Sequence, residues 1–94
     1  MIKRIESGIS GAGLGPNCLS RIRELAISLG LKGIAFTRND GSIKVIAEGE
    51  ESNLIDFTKR LPQISTMASV ENFYVKWPEF REEAGNFFIL AKTN

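Results

Sequence analysis

Two stretches of alternating apolar residues, Gly33 to Thr37 and Ser42 to Glu48, meet across Arg38-Asn39-Asp40-Gly41. Asp-Gly between two period-2 runs is a tight-turn signal, because glycine takes positive φ freely. A β-hairpin is therefore expected in the middle of the chain, and the rest must be arranged around it. Upstream, Leu19, Ile22, Leu25, Ala26 and Leu29 recur at helical spacing between Cys18 and Leu29. Asn17 stands where an N-cap belongs and Gly30 where a C′ glycine ends a helix. Downstream, Leu54, Phe57, Thr58 and Leu61 form a narrower stripe, with Ser52 in the cap position and Pro62 as the stop.

Each helical run leads to or from a further strand. Ile5, Ser7 and Ile9 alternate with Arg4, Glu6 and Gly8. Val70 to Trp77 places Phe73, Val75 and Trp77 on one face and Tyr74 on the other, and Phe87 to Ala91 makes a short final strand. The polar stretch from Pro78 to Gly85 is expected to be a surface loop. The order is β-α-β-β-α-β plus a short C-terminal strand. This is an α+β, ferredoxin-like split βαβ with an antiparallel sheet and two helices on one face. With 94 residues, 43% of them hydrophobic, residues 1–94 are expected to form one domain around one core. Many functions use this arrangement, so function has to come from particular residues.

The composition removes several chemistries. There is no histidine, which excludes Ser-His and Cys-His nucleophile pairs and His-ligated metals, and no cofactor is expected. Cys18 is the only cysteine, so no internal disulfide forms. Twelve basic and eleven acidic residues nearly cancel, which argues against nucleic acid or an anionic membrane as partner. The hairpin strand Ile43 to Ala47 offers no aromatic on which a base could stack. Glu6, Ser7 and Gly8 stand where a secretory signal needs an apolar segment, and the chain is read as cytoplasmic. Glu48, Glu50 and Glu51 suit the N-terminus of the second helix better than a metal, which needs more converging oxygens.

Between the first strand and the first helix lies Gly11-Ala12-Gly13-Leu14-Gly15-Pro16-Asn17. Glycines before a helix can present N–H groups to a small anion, and Gly13, Leu14, Gly15, Asn17 and Cys18 are the candidate cradle. The stretch lacks the Gly-Lys-Ser/Thr ending of a nucleotide P-loop. Cys18, at the helix start, is either a reactive thiol or a small residue packed under the loop; no base stands beside it in sequence.

The segments Leu29-Gly30-Leu31-Lys32-Gly33, Asp40 to Gly49 (Asp-Gly-Ser-Ile-Lys-Val-Ile-Ala-Glu-Gly) and Phe87-Phe88-Ile89-Leu90 resemble the acylphosphatase pattern at that family's spacing. The resemblance implies a phosphate cradled by the loop after the first strand, an arginine at the loop's end on the same phosphate, and an asparagine at the end of the second strand that orients the attacking water. It also implies a small phosphate-like anion or an acyl phosphate as ligand. The carboxylate of an acyl phosphate leaves readily, so placement and charge stabilisation suffice and neither histidine nor metal is needed.

The family's loop, Gly-x-Val-Gln-Gly-Val-Gly-Phe-Arg, lies on Gly11 to Leu19, where only Gly11 and Gly15 match. The arginine position falls on Leu19, which cannot pair with phosphate. Asn17 replaces a glycine, and Pro16 removes one N–H donor. The asparagine position falls on Thr37. Removing one donor to a developing charge lowers rate by roughly 10²–10³, so these losses together predict a domain without ordinary catalysis. The alternative is an active hydrolase in which Arg21 and Asn39 replace the missing pair. Against it, a two-residue shift moves a strand side chain about 7 Å, and Arg21 and Asn39 also read as a solvated helix residue and a turn residue.

Overall fold

The alternation of Ile5, Ser7 and Ile9 extends into a long strand, β1 (Ile2–Ala12), in a computed structural model that describes residues 1–12, 14, 16–64, 69–79 and 87–90. It is followed by α1 (Pro16–Ser28), β2 (Lys32–Thr37), β3 (Ile43–Glu50), α2 (Glu51–Arg60), a 3-10 turn (Leu61–Gln63), β4 (Ser69–Lys76) and β5 (Phe87–Leu90). The sheet order is β4-β1-β3-β2-β5. The first four strands pair antiparallel, whereas β5 lies parallel to β2, with Phe87 beside Gly33 and Ile89 beside Ala35. After β4 the chain has crossed to the far edge of the sheet, where its direction matches β2.

Register puts Ile5 opposite Ala47, Ser7 opposite Val45 and Ile9 opposite Ile43, all buried on one face. Both helices cover that face. Leu19, Ile22 and Ala26 of α1 and Leu54 and Phe57 of α2 join the same apolar cluster as Ile5, Ala35 and Val45. Ser7 is a fully buried polar residue in this layer, and its hydroxyl donates to the Tyr74 carbonyl at 2.9 Å, so its burial leaves no unmet donor. The opposite face carries Arg4, Glu6, Lys44 and Glu48, with Arg4 paired to Glu48 at 3.3 Å and Lys44 to Glu6 at 3.8 Å.

α1 ends as its sequence predicts. Gly30 has φ 69°, its N–H reaches Ile27 O at 3.0 Å, and Leu31 N–H reaches Ala26 O at 2.9 Å, the paired bonds of a Schellman stop. Gly33, at φ 149°, lets β2 approach β3 so closely that a Cβ would run into the Ile46 carbonyl oxygen.

Three local expectations are corrected. Asn17 is not the N-cap of α1: Pro16 is already helical, because its fixed φ and missing N–H suit a first helical position. Ser52 does not cap α2. β3 runs straight into that helix, Glu50 occupies the cap position without a side-chain cap bond, and the Glu51 N–H is met by the Met1 carbonyl at 3.0 Å. Trp77 lies just beyond β4 and is 46% exposed, so it does not share the core face with Phe73 and Val75. Between Ser10 and Gly11 the β1–β4 register shifts and passes over Glu71, a β-bulge on the outer strand. Of the loop expected from Pro78 to Gly85, residues 80–85 lie outside the described residues, as does residue 91 of the last strand.

Candidate functional site

The C-terminal end of β1, the N-terminus of α1 and the C-terminal end of β2 meet at one end of the sheet. Gly13 and Gly15 of the candidate cradle lie outside the described residues. Leu14 is half-buried and packs against the core cluster. With Pro16 as first helical residue, Cys18 and Leu19 fall in the first turn of α1 and turn inward, 3% and 6% exposed. Asn17 in the same turn faces solvent. Cys18 is thus a buried free thiol within the core cluster, the small packed residue of the two roles its sequence position allows.

Thr37 ends β2 in the row that runs Ile9, Ile43, Thr37 across three strands, and it is half-buried. Leu19 and Thr37 therefore both belong to the helix-covered layer. Arg21 is exposed, and its guanidinium donates to the Ile64 carbonyl at 3.2 Å, toward the segment after α2. Asn39 is exposed in the hairpin turn. That turn is closed by Arg38 N–H on Ser42 O at 2.7 Å and Gly41 N–H on Arg38 O at 3.0 Å. Its Asp40 carboxylate accepts from the Ser42 hydroxyl at 2.6 Å and the Ser42 N–H at 2.9 Å. Those bonds, the hydroxyl's first, and the nearby Arg38 charge hold Asp40 below its ordinary value of 3.8.

The acidic residues at the start of α2 have partners of their own. Glu48 faces Arg4, Glu50 takes the terminal ammonium at 2.8 Å, and Glu51 sits in the first turn, where its charge complements the helix dipole. Among the described residues no three acidic or cysteine side chains converge to hold a metal ion. No helix among them is long and apolar enough to cross a membrane.

Two concavities have no counterpart in the sequence motifs. One is a groove of about 580 Å³ between the start of β1, α2 and the end of β4, where Ile2, Ile55 and Trp77 are exposed. The other is a cleft of about 200 Å³ on the sheet face away from the helices, between β1, β4 and the hairpin turn. Its one sequence signal is Gly8, the residue without a side chain on the outer face of β1.

A sequence model of the acylphosphatase family matches residues 19–89. The chain is 29% identical over 89 residues to an acylphosphatase of Caldanaerobacter subterraneus subsp. tengcongensis, covering 95% of this chain and 99% of that one. It is 37% identical over 68 residues to an acylphosphatase of Dehalococcoides mccartyi, covering 71% of this chain and 75% of the relative. Its fold is similar to that of the crystal structure of acylphosphatase from Bacillus subtilis, with a TM-score of 0.87 at 23% identity over 96% of this chain and 99% of that one.

Proposed function

Because this chain belongs to the acylphosphatase family, we propose that it keeps that family's scaffold without ordinary hydrolysis of acyl phosphates, and that its altered loop end serves binding, of a small phosphate-like anion or of a protein. One observation supports the reading: Leu19, on which the resemblance in sequence lays the family's phosphate-binding arginine, is only 6% exposed and part of the core. Hydrolysis of an acyl phosphate needs a cation on the phosphoryl oxygens and a water aligned opposite the departing carboxylate. An apolar side chain supplies no charge, and Thr37 supplies a hydroxyl that is shorter than an asparagine amide. Leu14, half-buried against the same core, adds an apolar group to the loop. What remains suits binding more than turnover.

In the alternative reading Arg21 and Asn39 take over the two roles. The bond from Arg21 to the Ile64 carbonyl, at 3.2 Å, favours the first reading, since the guanidinium would have to leave that partner to reach a phosphate.

The deciding experiment is hydrolysis of benzoyl phosphate by the purified chain and by the double variant Leu19→Arg, Thr37→Asn, each checked for folding by circular dichroism. The expected result is a wild type at the uncatalysed rate and a folded double variant above it. A wild type that already turns over would overturn the reading, and loss of that activity in Arg21→Ala and Asn39→Ala would then assign the roles to the relocated pair.

A further inference from the structure

The face of the sheet away from the helices carries a second constellation of polar groups. Gly8 and Ser10 of β1, Asn72 and Tyr74 of β4, and Arg38 and Asp40 of the hairpin turn surround the cleft of about 200 Å³. Gly8 leaves the room that the Tyr74 ring occupies: a Cβ there would meet the ring, which lies directly over the β1 backbone as the cleft's apolar wall. The Lys76 ammonium lies 5.5 Å from the centroid of that ring. Lys44, the next side chain across the sheet from Gly8, is engaged by Glu6 at 3.8 Å.

Two opposite charges line this cleft without a salt bridge between them. Arg38 makes no ion pair and no side-chain hydrogen bond among the described residues. Asp40 accepts two bonds from Ser42, both on Oδ1, while an ionised carboxylate has room for about four. An anion alone would meet the Asp40 charge, and a cation alone would meet Arg38. A ligand with both charges a few atoms apart satisfies the two together. The amide of Asn72 and the hydroxyl of Ser10 add neutral hydrogen-bonding groups beside them, and the Tyr74 ring offers a surface for an apolar or aromatic body.

We propose that this cleft binds a free α-amino acid as its zwitterion, the carboxylate on Arg38, the ammonium on Asp40 and the side chain against Tyr74. The site is separate from the loop end around Leu19 and stands or falls independently of it. A cleft of this volume is smaller than the several hundred Å³ typical of drug-sized ligands, which suits a single amino acid rather than a peptide or a nucleotide.

The test is a titration of the isotopically labelled chain with L-phenylalanine, followed by backbone amide resonances. Two truncated probes run beside it: 3-phenylpropanoate, which lacks the ammonium, and 2-phenylethylamine, which lacks the carboxylate. Saturable shifts are expected at Gly8, Ser10, Ser42 and Asn72, with each truncated probe at least about tenfold weaker, the smallest loss that removing a hydrogen bond to a charged group produces. Arg38→Ala should weaken L-phenylalanine by a similar factor with little change in melting temperature, because the hydrogen bonds that close the turn use the Arg38 backbone and its charge acts on the exposed Asp40 only through solvent. Asp40→Asn disturbs the turn as well, so Arg38→Ala is the deciding variant. Absence of saturable shifts up to about 10 mM, equal affinity for 3-phenylpropanoate, or shifts confined to the segment from Leu14 to Leu19 would each overturn the assignment.

Discussion

Truncating Leu19 to alanine separates a core position from a site position. Leu19 stands in the first turn of α1, 6% exposed and within the cluster that contains Ile22, Ala26 and Phe87. The change deletes three buried carbons, worth about 2.4 kcal/mol at roughly 0.8 kcal/mol each. The residual cavity adds to this, and buried Leu→Ala changes span about 2–5 kcal/mol in total. A position near a helix end collapses more readily than one in mid-helix, which places Leu19→Ala at about 3 kcal/mol. For a chain of this size each kcal/mol moves the melting temperature by about 4–8 °C, so a drop of about 12–24 °C is expected. Thermal unfolding followed by circular dichroism measures it, with Ile27→Ala as the control on the same helix. Ile27 is 49% exposed and should shift stability by less than about 1 kcal/mol. If Leu19→Ala stayed within about 1 kcal/mol of wild type, Leu19 would not be filling the core. The claim that the arginine's position has been given over to packing would then fail.

Two further outcomes test the frame around the site. Gly33→Ala should destabilise by about 2 kcal/mol or more in urea unfolding, since φ 149° disfavours a side chain and the obstructing atom is the Ile46 carbonyl of the adjacent strand; a loss no larger than that of Gly30→Ala, whose Cβ meets open space, would show that β2 and β3 lie farther apart. Asp40 is held below 3.8 by Ser42, so its stabilisation is fully present above that pH and fades as pH falls through the lowered folded value; melting temperatures of wild type and Asp40→Asn should differ by a constant amount above pH 3.8 and converge below it, and a gap that persists to the lowest pH would mean that Ser42 does not favour the charged form.

The framework was legible in the sequence because its signals are local and redundant. Asp40-Gly41 between two alternating runs fixed the hairpin, Gly30 fixed the end of α1, and the spacing of Leu19, Ile22 and Ala26 fixed its buried face. Where partners came from afar, the sequence was silent. Ser52 looked like a cap, yet β3 runs on to Glu50 and leaves Ser52 inside the first turn of α2, and the first helical N–H, that of Glu51, is met by the Met1 carbonyl, brought there by β1 pairing with β3. Trp77 continued the alternation of Phe73 and Val75, but the strand ends one residue before it. The inward face of Leu19 followed from its helical spacing, whereas the engagement of Arg21 by Ile64, 43 residues away, depends on how α2 and its 3-10 turn dock. The outer-face cleft draws on three separated segments and had no linear motif to announce it.

The bulge that passes over Glu71 bears on how these molecules behave toward one another when crowded. β4 and β5 are the two outer strands, and an outer strand presents a row of unpaired backbone groups to any neighbour. β5 is four residues long, too short to template much pairing. β4 is twice that length, but its ladder to β1 is broken next to Asn72, and the extra residue at the break is a solvent-exposed glutamate. Among the described residues neither border of the sheet therefore offers a long, straight, uncharged edge, which works against strand-by-strand aggregation.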